Sequence, residues 1–188
     1  MGGGCILWCM ARSLKEQIGK QNAFESHAVE AMLNVYRTAS VLSGPEHALL
    51  KGFGLSPASY NLLRILRGHQ NRAHQEQGQA DAYYGLRASE IGCQMVVRMP
   101  DVTRLVDRLE GMGLVSRHVC DLDKRVKYVK ITKKGLALLG KIDPKVAGLV
   151  QEGLGHMSDK DLRELSRLLV LLRNEDESDE STESEGHS

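Results

Sequence analysis

Large aromatic rings are scarce in this sequence: Phe, Trp and Tyr together make up 4% of it. A core so short of rings must fill with Leu, Val, Ile and Met, which suits packed helices. Paired cysteine spacing is also missing. Cys5, Cys9, Cys93 and Cys120 form no C-x-x-C unit, so they fit free thiols in a reducing cytosol. No apolar run approaches the roughly 18 residues that a membrane helix requires, and a soluble, cytoplasmic protein without membrane contact is expected. No nucleophile elbow, phosphate-cradling Gly loop or H-E-x-x-H occurs. The sequence therefore argues against an enzyme, and it calls for no cofactor. The start "MGGGCILWCMARSLK" lacks a positive charge ahead of its short apolar stretch, and Ile6 stands where a myristoylation signal wants Ser or Thr. Residues 1–24 read as a flexible leader.

The charge that is present is unevenly placed. The net charge is +1, yet the last fourteen residues, "EDESDESTESEGHS", hold seven acids and no Lys or Arg. The preceding 174 residues therefore carry a net +8. Between Leu86 and Gly135, eleven Lys/Arg stand against six Asp/Glu. A compact basic segment beside an acidic tail points to a polyanionic partner. The tail, residues 174–188, is too acidic and too poor in apolar groups to fold.

Apolar periodicity supplies the elements. Val29, Met32, Leu33, Tyr36, Ala39, Val41 and Leu42 follow a helical period, with a stop expected at Ser43-Gly44-Pro45. "LSPASYNLLRILRG" reads as a second helix, capped by Ser56, opened by Pro57 and stopped at Gly68. The Gln-rich run from His69 to Gly85 reads as a long loop. "LRASEIGCQMVV" holds a short helix. Val102, Leu105, Val106 and Leu109 then fall at i, i+3, i+4, i+7, with Asp101, Arg104 and Arg108 on the opposite face. Gly111 and Gly113 supply the stop, and a strand pattern follows on either side of a polar tip, "DLDKR". Thr132 can cap a further helix, in which Pro144 implies a kink or break. Ser158 and Asp161 form a capping pair for the last helix, whose stripe contains Leu162, Leu165, Leu168, Leu169 and Leu172.

Three short helices, the last polar on one side, followed by a two-stranded hairpin make a winged helix-turn-helix. The fold class expected is mainly α with a small β-hairpin. A B-DNA major groove, about 12 Å wide, admits one α-helix, and a hairpin tip can reach the adjacent minor groove, where Arg is drawn to negative potential. Arg104 suits a bidentate contact with guanine, and Thr103 a base edge or phosphate. Lys124 and Arg125 occupy the tip.

Residues 86–135 resemble the DNA-binding core of the MarR family of bacterial transcription regulators. "LRASEIGCQMVV" resembles the helix before the turn, "PDVTRLVDRLEGMGLVSR" the recognition helix and its exit, Asp123-x-Arg125 the wing, and "ITKKG" the strand-to-helix junction. The resemblance extends over roughly residues 28–173. It implies a DNA-binding core (56–135) within a domain spanning 25–173, flanked by N- and C-terminal dimerisation helices at 28–50 and 136–173. It also implies a homodimer on double-stranded DNA at a palindromic operator, with repression the expected role and activation of nearby genes the alternative, relieved by a small-molecule effector or an oxidant. The residues expected at DNA are Arg98, Asp101, Thr103, Arg104, Arg108, Asp123, Lys124, Arg125 and Lys127. Those expected in the dimer are Leu162, Leu165, Leu169 and Leu172.

The departures from the family pattern lie around the recognition helix. Arg98, Met99 and Asp101 stand where members commonly carry Ser, Arg and Thr, and Val96 stands where the turn usually has Gly. Asp101 either replaces the lost capping oxygen or accepts from cytosine. Arg108 either pairs along the helix, with Glu110 for instance, or contacts DNA. His69, His74 and Glu76 lack the company of a metal site and read as incidental; no metal is expected. The reading from a different class is a winged helix turned protein-interaction module, which has no need of Arg104, Arg125 and Lys127 together.

Overall fold

The computed structural model describes residues 13–77, 85–98, 100–120 and 123–173. The acidic tail and residues 1–12, with Cys5 and Cys9, lie outside them. The element order is α1 (Leu14–Gln17), α2 (His27–Gly52), α3 (Pro57–Gln77), α4 (Ala88–Gln94), α5 (Val102–Gly111), β1 (Val115–Val119), β2 (Lys127–Ile131), α6 (Lys133–Leu154) and α7 (Asp159–Leu171). Mainly α with one antiparallel hairpin is the fold class observed. Among the described residues no helix is long and apolar enough to cross a membrane.

Two expected stops fail. The helix beginning at His27, capped by the Ser26 side chain, runs through Gly44 and Pro45 to Gly52. Pro45 removes a single backbone bond, whereas continuing the helix brings Leu50 to a fully buried position. The true stop is Gly54, whose φ of +72° suits glycine. There the Leu55 N–H returns to the Leu50 carbonyl at 3.0 Å and the Gly54 N–H to the Lys51 carbonyl. Helix α3 likewise passes Gly68 and takes up residues 69–77, which were expected to be loop. A mid-helix glycine costs only about 1 kcal/mol, and the Gln, Arg, Ala and Glu that follow favour helix. Residues 14–17, expected within the flexible leader, form a short turn of helix with a Ser13–Glu16 capping box and a buried Leu14.

The expected starts hold. The Ser56 hydroxyl accepts from the Ser59 N–H at 3.1 Å, and Pro57 opens α3. Tyr60, Leu62, Leu63 and Leu66 from α3 pack into one core with Ile91, Val106, Leu109, Val129 and Leu139. The hairpin pairs Val115 with Ile131 through to Val119 with Lys127, and Leu86 adds a two-bond bridge to Val129. The "ITKKG" junction has a reason at nearly every residue. The Thr132 hydroxyl accepts from the Gly135 N–H and lies 2.8 Å from the Gly113 carbonyl, to which it donates. Lys134 donates to the Met112 carbonyl. A Cβ at Gly135 would stand 2.4 Å from the Leu114 carbonyl oxygen, so only glycine lets α6 approach the hairpin this closely.

Helix α6 contains Pro144 without losing its assignment, and the chain divides into two compact units at that point, 1–143 and 144–188. In the first, Asp143 accepts from the Tyr60 hydroxyl at 2.7 Å and is paired with Arg67, bolting α6 to α3. In the second, Ser158 caps α7 through the Asp161 N–H. No residue of α7 is buried. Leu162 and Leu169 are half-buried, while Leu165, Leu168 and Leu172 are exposed.

Candidate nucleic-acid interface

The turn before α5 is set from a distance. Asn61, on α3, accepts the Val96 N–H at 2.9 Å, although 35 residues separate the two. At the start of α4, the Glu90 carboxylate accepts from the Arg87 guanidinium at 3.0 Å and from the Arg87 N–H at 2.7 Å. These bonds hold the Glu90 carboxyl below its ordinary pKa. His69, weighed as a metal ligand, lies 2.8 Å from Gln94 Oε1 and 3.0 Å from Arg72. No cluster of three or more His, Cys, Asp or Glu suited to a metal occurs among the described residues.

Asp101 has a capping role. It is the N-cap of α5: its Oδ1 accepts the Arg104 N–H at 2.9 Å, and its Oδ2 lies 3.2 Å from Arg104 Nε. The carboxylate thus supplies the capping oxygen that the departure from Ser removed. Leu105, Val106 and Leu109 are buried beneath α5. On its outward side, Thr103 is exposed and the Arg104 side chain is 87% exposed. Arg108 pairs with neither Glu110 nor a neighbouring turn; its Nη2 donates to the Gly54 carbonyl at 3.1 Å.

Arg117, in β1, was not among the expected site residues. Its guanidinium lies 2.5 Å from Asp107 and 2.7 Å from Glu110, and donates to the Thr103 carbonyl at 3.3 Å. Its backbone N–H reaches the other Glu110 oxygen at 3.1 Å. The one available signal was the i, i+4, i+7 spacing of Thr103, Asp107 and Glu110, which gives one stripe on the helix but names no partner. Asn61 carried no signal at all.

At the wing tip, Asp123 acts on the backbone. Its Oδ1 accepts the Arg125 N–H at 2.9 Å and its carbonyl accepts the Val126 N–H. Asp123, Lys124, Arg125 and Lys127 are exposed, as is Arg98 ahead of α5.

Residues 80–127 match the MarR family. Over 79% of this chain and 99% of the other, the sequence is 34% identical to a MarR transcription factor from Planctomyces limnophilus, whose structure superposes with a TM-score of 0.56. Two more distant solved structures share the fold. One is MepR of S. aureus in a complex with DNA, 18% identical over 80% of this chain and 98% of that one, with a TM-score of 0.60. The other is CouR of Rhodococcus jostii bound to p-coumaroyl-CoA, 18% identical over 81% and 97%, with a TM-score of 0.62. The winged helix-turn-helix, its capped recognition helix and this similarity along nearly the whole length of a relative lead to one conclusion: the chain belongs to the MarR family of transcription regulators.

Proposed function

We propose that this DNA-binding regulator is a homodimeric repressor that binds a palindromic operator and is released by a small-molecule effector. Helix α5 enters the major groove and the tip at residues 123–125 reaches the minor groove. The observation that carries this reading is the outward face of α5: Thr103 and Arg104 stand exposed on a helix whose cap and buried face fix it to the core. Arg98, Lys124, Arg125 and Lys127 add exposed charge suited to phosphates. Dimerisation is supported by apolar side chains left uncovered in the single chain, Leu165 on α7 and Leu172 at its C-cap, with half-buried Leu162 and Leu169 beside them. The related MepR is solved with DNA, and CouR with a small ligand.

An effector has a place to act. A cavity of about 260 Å³ is lined by His47, Tyr60, Asn61, Arg64, Met95 and Val97, among others. Asn61 is also the residue that holds the Val96 N–H in the turn before α5, so a ligand here would press on that turn. The test is selection of bound fragments from a random DNA pool, repeated with candidate effectors. The expected product is an inverted repeat with half-sites about 10 base pairs apart, or a multiple of that, depleted when the effector is present. A pool without any enriched sequence, together with a protein partner in pull-downs, would replace this reading with an interaction module.

A further inference from the structure

We propose that Arg117 is a positioning residue for DNA recognition: it sets the rotation of α5 about its own axis and offsets part of the charge of two carboxylates at the helix edge. The inference rests on α5 being the reading helix. On a helical projection Leu105, Val106 and Leu109 point inward, while Arg104 points outward. Thr103, Asp107 and Glu110 run along one flank of the helix, with Thr103 and Asp107 toward the outward side beside Arg104, and Arg108 lies on the other flank. Each flank is tied to a different part of the fold. Arg108 donates to the Gly54 carbonyl. Arg117, from β1, spans Thr103 to Glu110, a rise of about 10 Å along the helix, by bonding to the Thr103 carbonyl, Asp107 and Glu110. With a tie on each side, the helix cannot roll without breaking one of them.

The residue type matters. A planar guanidinium can serve two carboxylates and a carbonyl together, whereas a lysine ammonium concentrates its charge at one point. Asp107 is 57% exposed in its side chain and stands on the helix that would face a polyanion. Unpaired, it would repel phosphate. Paired with an Arg117 side chain that is only 23% exposed and shared with Glu110, its charge is offset in part. Arg117 itself is turned to the carboxylates and acts on DNA through α5.

The experiment compares wild type, Arg117→Lys, Arg117→Ala, and Arg117→Ala combined with Asp107→Asn. Each is titrated with the selected operator and its single-mismatch variants over a salt series, well below the lowest melting temperature. A merely structural role would lower the folded fraction and weaken all sites by one factor, leaving the cognate-to-mismatch ratio unchanged. The expected result is different. Arg117→Ala weakens cognate binding by about tenfold, the size of coupling found within one ion-pair network, and reduces that ratio, while any flattening of the salt slope comes from the unpaired Asp107 and is reversed by Asp107→Asn. Adding Asp107→Asn restores part of the affinity without restoring the ratio. Arg117→Lys, which keeps the charge and covers a failure of the alanine variant to fold, retains affinity better than discrimination.

The proposal is overturned if the ratio survives in both Arg117→Ala and Arg117→Lys. It is also overturned if the salt slope falls by about one unit per half-site and Asp107→Asn does not restore it, which marks a direct phosphate contact. Arg104→Ala serves as the control. If it leaves base preference intact, the assignment of α5 as reading helix fails; if it relaxes preference while the Arg117 variants do not, only the brace fails.

Discussion

Helix α5 and the wing tip both present exposed cations, but they are held in different ways. The helix is capped by Asp101, buried along Leu105, Val106 and Leu109, and tied on its two flanks by Arg108 and Arg117. The tip beyond the Cys120–Val126 bond is shaped by the two bonds that Asp123 accepts, from the Arg125 and Val126 N–H groups. Bidentate readout of a base edge needs a side chain delivered in a fixed direction, because displacement breaks the paired hydrogen bonds. Attraction to phosphates needs charge at the right distance and tolerates adjustment. On the proposed binding mode, this difference among the described residues fits sequence reading by the helix and general affinity at the tip.

The largest expected effect removes the setting in which the two regions cooperate. Replacing Leu165 and Leu169 together by Glu should give monomers, and losing the second half-site should weaken operator binding by about 100-fold or more. Unchanged mass in solution would rule out α7 as the dimer element.

Next in size is a change remote from both regions, which should alter stability and spare the comparison. Burial pushes the Asp143 carboxyl up, but the hydrogen bonds from Tyr60 and Arg67 outweigh it and hold the carboxyl below its ordinary value of 3.8. Because the folded state binds this proton more weakly than the unfolded chain, the contribution is complete above that ordinary value and disappears as pH falls through the lower folded value. Asp143→Asn should cost about 2 kcal/mol at neutral pH, with the difference from wild type shrinking in acid. Tyr60 has the opposite sign. Burial and the bond to Asp143 push its hydroxyl from 10.0 up to about 12, so its contribution is lost as pH rises through that window. Thermal melts of Asp143→Asn and Tyr60→Phe across pH check both, and a change in operator preference in either variant would blur the division of labour.

Within the comparison itself, Asp101→Ala should destabilise the start of α5 by about 1 kcal/mol and loosen base preference at the helix N-terminus. Asp101→Asn, which keeps an oxygen acceptor, should recover most of the stability. If Asp101→Ala binds and melts like wild type, the cap has no role. Smaller still is Asp123→Ala. It removes one bond at the tip, and it should lower affinity for all sequences by a few-fold at most, without a change in ranking across a mismatch panel.

Much of this arrangement is visible in the residues alone, and the exceptions have a common origin. The α5 face, the hairpin, the Ser56-Pro57 start and the Thr132 cap rest on short-range rules of period and capping, and they appear in the fold as expected. The stops at Pro45 and Gly68 failed because tertiary packing, including burial of Leu50, overrides local preference at Pro45, and a helix-favouring continuation outweighs a single glycine at Gly68. At the site, periodicity exposed Arg104 correctly but left Asp101 with two roles, and the structure supplies the cap. The partners of Arg108, Arg117 and Asn61 were illegible because each is fixed by tertiary packing: Gly54 lies 54 residues from Arg108.

Helix for sequence and wing for affinity are separated by titrating Arg104→Ala and Arg125→Ala against cognate and single-mismatch operators at several salt concentrations. Arg104→Ala should lose roughly 1–3 kcal/mol on the cognate site and relax preference at one position per half-site. Arg125→Ala should weaken all sequences alike and flatten the salt slope by about one unit per site. Altered preference in Arg125→Ala with preserved preference in Arg104→Ala would contradict this division.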